Sequence, residues 1–192
     1  MDDACINNFP TYYNDILSAT SDAGFTMASE IQVCTLLRTL AASKRGGTFL
    51  ELGTGTGLST SWILDGMDHS ASLVSVDNDP AVLSIAQRYL GQDSRLSLVS
   101  ADGAEWIAAN RESKFDFVFA DTWPGKYILL DKVLAMLNLG GIYFIDDMLP
   151  QPNWPDGHAE KVSALLSHLD TRDDFVVTKQ CWGSGIVIMV KV

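Results

Sequence analysis

Apolar positions along this chain switch between two periods. Strand-length apolar runs occur at Thr48–Leu52 (TFLEL), Ser72–Asp77 (SLVSVD), Leu96–Ser100, Phe115–Ala120 (FDFVFA) and Ile142–Ile145. Between and after them, Leu58–Met67, Pro80–Leu90, Gly103–Asn110, Tyr127–Leu137 and Gly157–Leu169 read as helices. Pro80 falls in a first helical turn, where its missing N–H costs nothing. Asn138 and Gly140-Gly141 supply a stop for the Tyr127–Leu137 helix. Upstream, residues 28–42 carry Ile31, Cys34, Leu37, Leu40 and Ala41 at helical spacing. Residues 1–24 are polar with Tyr12, Tyr13, Ile16 and Leu17 interspersed, which predicts a short helix packed on the body. The last two strands, Phe175–Lys179 and Ile186–Val192, are joined only by CWGSG.

Strands that alternate with helices form a parallel sheet covered on both faces. Two strands joined by a short glycine-containing loop pair antiparallel. The pattern therefore predicts a doubly wound α/β fold: a mostly parallel, seven-stranded sheet with an antiparallel C-terminal hairpin and helices on both faces. At 192 residues, with no repeat or linker, residues 1–192 read as a single domain, with 1–45 as an N-terminal helical segment.

Composition narrows the function classes. Hydrophobic residues make up 47% and charged residues 19%, which suits a globular chain. No apolar run reaches the roughly 18 residues of a membrane span, and MDDACINNFP has no basic start or apolar core of a secretory signal. The formal net charge is −11, from 13 Lys+Arg and 24 Asp+Glu, which disfavours nucleic acid and anionic membranes as partners. The three cysteines, Cys5, Cys34 and Cys181, suggest neither a disulfide framework nor a metal site. A cytoplasmic location with reduced thiols is expected.

The chemistry concentrates at the ends of the strands, where ligands bind in such sheets. FLELGTGTGLST places Gly53, Gly55 and Gly57 directly after the first strand. A dinucleotide site wants GxGxxG, and Leu58 stands where the third glycine belongs. Asp77 ends the second strand, placed to accept ribose hydroxyls or to start the next helix. Asp102 follows the third strand in SADG, as an adenine acceptor or a plain N-cap. Asp121 ends the fourth strand, and Asp146 and Asp147 end the fifth. Neighbouring strands lie about 4.8 Å apart, so three carboxylates there would converge and repel. A hard divalent cation such as Mg²⁺ would relieve that repulsion; caps or contacts to a cofactor ammonium are the other use of the same side chains.

The motifs ELGTGTG, SVDNDP, SADG, FDFVFADTWPGKY and GGIYFIDD resemble, from about Phe25 to Val192, the Rossmann-like methyltransferases that use S-adenosylmethionine, and in particular the catechol and caffeoyl-CoA type of O-methyltransferase. The resemblance implies an enzyme that moves a methyl group to a hydroxyl of a small catechol-like or phenolic acceptor, with a homodimer as a possible state. It implies cofactor contacts at Met27, Ser29, Glu51, Gly53, Thr54, Gly55, Gly57, Ser59, Asp77, Asn78, Asp102, Gly103, Ala104, Asp121 and Trp123. It implies metal ligands at Asp121, Asp146 and Asp147, where Asp147 replaces the family's usual Asn. Animal catechol enzymes carry D-x-W-K, whereas this chain has Pro124 at the lysine position. Lys126, two residues on, and His158, in NWPDGHAEK, become the candidate bases, beside Asp121. Trp123, Trp154 and Trp182 are candidates for an apolar wall, and QPNWPDG for a loop over the site. A non-catalytic or metal-independent relative, a dinucleotide oxidoreductase and a tRNA nucleoside acceptor are the competing readings.

Overall fold

In the computed structural model, which describes residues 6, 8–151 and 154–192, two helices precede the sheet: α1 (Tyr13–Asp22) and α2 (Ile31–Ala42). Then follow β1 (Thr48–Leu52), α3 (Leu58–Gly66), β2 (Ser72–Asp77), α4 (Pro80–Leu90), β3 (Leu96–Ser100), α5 (Gly103–Ala109) and β4 (Phe115–Ala120). The chain continues through α6 (Trp123–Lys126), α7 (Leu130–Ala135), β5 (Leu137–Ile145), α8 (His158–Leu169), β6 (Phe175–Gln180) and β7 (Ile186–Lys191). The strand order is β3-β2-β1-β4-β5-β7-β6. β1 to β5 pair in parallel, and β7 lies antiparallel between β5 and β6.

Alternation along each strand divides the core in two. In β4, Phe117 and Phe119 join α1, α2 and α3 on one face through Ile16, Leu37 and Trp62. Val118 and Ala120 face the other way, toward Ile107 of α5, Val133 of α7 and Val162 of α8. Period-two side chains on a sheet covered by helices on both sides require both sets to be apolar, which explains the near-continuous hydrophobicity of FDFVFA.

One predicted element differs. The helix expected over Tyr127–Leu137 is only α7, and the strand expected from Ile142 begins at Leu137. Leu129 takes a left-handed φ of 60°, which breaks the helical path before Leu130. Leu137 pairs with Phe115, but the next β4 pairing joins Phe117 to Ile142, so extra residues bulge out of β5 around Gly140 and Gly141. The glycines that looked like a helix stop are the bulge inside a strand. Among the described residues, no helix is long and apolar enough to cross a membrane.

Candidate active site

Strand order reverses direction between β1 and β4, and the loops after these strands diverge to leave a crevice. The β1–α3 loop forms one wall. Gly53 sits at φ +106°, and a Cβ there would lie 2.6 Å from Thr122 Cγ2. Only a bare backbone lets this loop pass so close to the β4 loop. The amides of Gly53 and Thr54 both donate to the Val76 carbonyl of β2, at 2.9 and 3.3 Å. The Gly55 amide donates to Asp77 Oδ2 at 2.7 Å, while Asp77 Oδ1 accepts from the Asp79 amide at 2.9 Å. Asp79 in turn caps α4 through the Ala81 amide at 2.8 Å, with Pro80 at the first helical position.

Beneath this loop Glu51 is completely buried. Its carboxylate accepts from Ser59 at 2.6 Å, Thr60 at 2.5 Å and Ser75 at 2.5 Å. Burial pushes the carboxyl up to about 7, against the lowering effect of the three hydroxyls. The network ties β1 to β2 and to the first turn of α3, so it fixes the glycine loop from below.

The carboxylates at the ends of β4 and β5 come together with a lysine between them. Asp121 Oδ2 accepts from Ser29 at 3.1 Å, and its Oδ1 is buried without a hydrogen-bond partner. Lys126 is buried; its ammonium donates to the Asp146 carbonyl oxygen at 2.8 Å and lies 3.7 Å from Asp121 Oδ1. Asp146 Oδ1 accepts from the Asp147 amide at 2.8 Å and from the Ser184 hydroxyl. Burial raises Asp121 well above the usual carboxylate range, opposed by the Lys126 charge. Burial, then the Asp147 charge, brings Asp146 up to about 6. As arranged, the three carboxylates are not a common ligand set. Asp146 Oδ1 is taken by the Ser184 hydroxyl and the Asp147 amide, Asp147 turns into the cavity from a left-handed φ of 62°, and an ammonium lies against Asp121. Among the described residues no group of three or more His, Cys, Asp or Glu is disposed to hold a metal ion.

These walls enclose a cavity of about 590 Å³, within the range of roughly 300–1,000 Å³ usual for small-molecule sites. Met27, Ser29, Gly53, Thr54, Gly55, Ser59, Asp77, Asn78, Asp121, Trp123, Lys126, Asp147 and His158 all border it. Glu51, Gly57 and Asp146 lie behind the wall, Gly57 against Ala86 of α4. Asp102, Gly103 and Ala104 are not part of it. Asp102 Oδ1 instead accepts from the Ala104 and Glu105 amides at 2.8 and 3.0 Å, capping α5.

At the end of the cavity away from Asp77, aromatic rings gather on His158. Trp154 lies 4.5 Å from it between centroids, Tyr127 5.2 Å and Trp123 6.1 Å. His158 Nε2 is 3.2 Å from the Tyr127 hydroxyl, and its Nδ1 is buried without a partner. Burial, followed by the charges of Lys126 and Lys161, holds the imidazole below its ordinary value of 6.5. Trp182 packs against the α1–α3 face of the core and does not border the cavity. Of the loop QPNWPDG, Pro152 and Asn153 lie outside the described residues; Gln151, Trp154 and Pro155 border the site. Phe25, Thr122, Tyr127 and Ser184 were not singled out from sequence. Ser184 had a signal: a strand antiparallel to β5 must bring its preceding loop to the C-terminal end of β5.

The signature of the family described as "Methyltransferase domain" matches residues 50–148, a span that runs from the glycine loop to the end of the Asp146-Asp147 pair. The chain belongs to this family. A Mycobacterium leprae protein named as an O-methyltransferase is 31% identical to this methyltransferase domain over 93 residues, 46% of the chain and 42% of that protein. The matched stretch thus spans under half of the relative's length. Among solved structures, the O-methyltransferase of Bacillus cereus in complex with S-adenosylhomocysteine superposes with a TM-score of 0.85. It is 15% identical and covers 98% of this chain and 94% of its own. The Streptomyces achromogenes O-methyltransferase TomG of tomaymycin synthesis, in complex with S-adenosylmethionine, gives 0.84 at 18% identity, covering 98% and 93%. At these identities the two structures establish the shared fold.

Proposed function

We propose that the chain transfers the methyl group of S-adenosylmethionine to a hydroxyl of a small phenolic or catechol-like acceptor. The observation that carries this reading is Asp121 Oδ1, a buried carboxylate oxygen at the switch point of a methyltransferase-domain sheet that has no hydrogen-bond partner, the Lys126 ammonium standing off from it at 3.7 Å. Such an oxygen calls for a donor, and an amino-acid ammonium entering over Gly53 meets it. Asp77, at the end of β2, retains lone pairs for two vicinal ribose hydroxyls. The donor set therefore fits this cofactor. When bound, it supplies a methyl carbon on a cationic sulfur, an electrophile that needs no activation by the protein.

What remains for the chain is to orient the acceptor and take up its proton. Trp123, Tyr127, Trp154 and His158 present flat apolar faces, which suit a planar ring. His158 is the favoured base: its basicity is held below the ordinary imidazole value, and its ring borders the cavity among the aromatic side chains. Lys126, the other candidate, is engaged with the Asp146 carbonyl and Asp121. The Asp147 charge favours the imidazolium once it forms, against the charges of Lys126 and Lys161. A divalent cation chelated by Asp121, Asp146 and Asp147 does not fit the arrangement of these side chains.

The test is incubation with methyl-labelled S-adenosylmethionine and a panel of phenols and catechols. Label transferred to a ring hydroxyl is expected, and His158→Ala is expected to lower kcat by roughly 10²–10⁴-fold with little change in cofactor affinity. Wild-type kcat in that variant removes His158 as the base. Failure to bind S-adenosylhomocysteine removes the methyl-transfer reading itself.

A further inference from the structure

Lys126 is held inward by a built segment. Within Trp123–Lys126, Pro124 and Gly125 leave the helical path, Gly125 with a φ of 90°. The Tyr143 hydroxyl donates to the Gly125 carbonyl, and the Gly125 amide donates to the Ile128 carbonyl at 2.7 Å. A Cβ at Gly125 would meet Leu52 Cδ1 at 2.5 Å, so the kink is packed hard against the end of β1. The consequence is a lysine 4% exposed, whose ammonium bridges the end of β5, through the Asp146 carbonyl at 2.8 Å, to Asp121 at the end of β4, at 3.7 Å.

A buried ammonium needs anionic and carbonyl oxygens around it, and converging carboxylates need a cation. The two requirements meet here. Of the carboxylate oxygens a hard metal ion would take, the ammonium lies against Asp121 Oδ1, and a positive charge there repels a divalent cation. Ser184 and the Asp147 amide draw the Asp146 carboxylate away from the cavity, which it does not border. We propose that the Lys126 ammonium is the resident cation of this cluster, and that the chain binds no divalent metal at Asp121, Asp146 and Asp147. Lys126 is then a positioning residue, and the acceptor is oriented by the aromatic wall and His158 without chelation; that last step rests on the methyl-transfer reading above.

The experiment is calorimetric titration of Mn²⁺ into the full chain saturated with S-adenosylhomocysteine, for wild type, Lys126→Met and Lys126→Arg. Wild type and Lys126→Arg are expected to show no saturable binding. The S-adenosylhomocysteine affinity of wild type is expected to agree within about 2-fold (about 0.4 kcal/mol) between chelator and Mg²⁺. Lys126→Met removes the internal charge and is expected to gain Mn²⁺ affinity of at least roughly 10-fold over wild type. Stoichiometric Mn²⁺ binding to wild type that is lost in Asp121→Asn overturns the proposal. So does a folded Lys126→Met that gains no affinity. If Lys126→Met does not fold, the wild-type and Lys126→Arg titrations decide. The cofactor titration is run first, without metal: absence of cofactor binding sinks the methyl-transfer reading, and Mn²⁺ titration of the free chain still tests the lysine.

Discussion

Glu51→Gln removes one buried ionisation while keeping the shape of the side chain and most of its hydrogen bonds. The Glu51 carboxyl is raised from the ordinary 4.5 to about 7, with burial as the first cause and three donated hydroxyls opposing it. Between those two values the unfolded chain has lost this proton and the folded chain still holds it. The folded state binds more protons there, so stability falls as pH rises, by about 1.4 kcal/mol per pH unit. Across the window the loss amounts to about 3 kcal/mol, fully expressed above the folded value and absent below the unfolded one. Asp121 and Asp146 are also raised and add loss of the same sign, so the wild-type slope alone does not isolate Glu51. The difference between wild type and Glu51→Gln does. Urea unfolding at about pH 5, 6, 7 and 8 should show the variant gaining on wild type by about 2.5 kcal/mol over the series. At a typical slope of about 2 kcal/mol per molar urea, that is a relative shift in midpoint of about 1.2 M. A difference that stays constant within about 0.5 kcal/mol over this range would refute the claim that Glu51 titrates against its burial.

Gly125→Ala places a Cβ 2.5 Å from Leu52 Cδ1 at a φ of +90°. It should cost about 2 kcal/mol or more in urea unfolding; a loss below about 0.5 kcal/mol would mean that the kink is not packed as described. Trp62 is fully buried, with Phe9 and Tyr13 at its edges and the Arg38 guanidinium 4.6 Å from the ring centroid. Trp62→Ala should therefore lower stability by about 3–5 kcal/mol, read from the same unfolding curves. It should leave S-adenosylhomocysteine affinity of the folded fraction unchanged, because Trp62 does not border the cavity.

The sheet was legible because its strands are buried on both faces and read as short apolar runs between amphipathic helices. β1, β2, β3 and β4 fall where the pattern puts them, to the residue. The Tyr127–Leu137 stretch was misread because Val133, Leu134, Met136 and Leu137 are spaced as a helix would space them. The left-handed turn at Leu129 and the bulge at Gly140-Gly141 are tertiary decisions: β5 pairs with Phe115 at Leu137 and resumes its pairing with β4 only at Ile142. At the site, sequence brought Gly53, Asp77, Asp121 and Asp147 to one cavity by placing each after a strand. The direction of a side chain after a strand is not carried by that argument. Asp102 turns back to cap its own helix and Asp146 turns to Ser184, while Lys126 turns inward because of Pro124 and Gly125. Adjacent aspartates in the sequence thus serve different surroundings in the fold.

Calorimetric titration of S-adenosylhomocysteine into wild type and Asp77→Ala tests most directly whether this cavity is a methyl-donor site. Saturable one-to-one binding to wild type is expected, weakened at least roughly 10-fold in Asp77→Ala, as expected for loss of charge-assisted hydrogen bonds worth about 1.5–3 kcal/mol. Absence of binding to wild type, or an unchanged dissociation constant in the variant, would contradict the placement of the cofactor over Gly53 and Asp77.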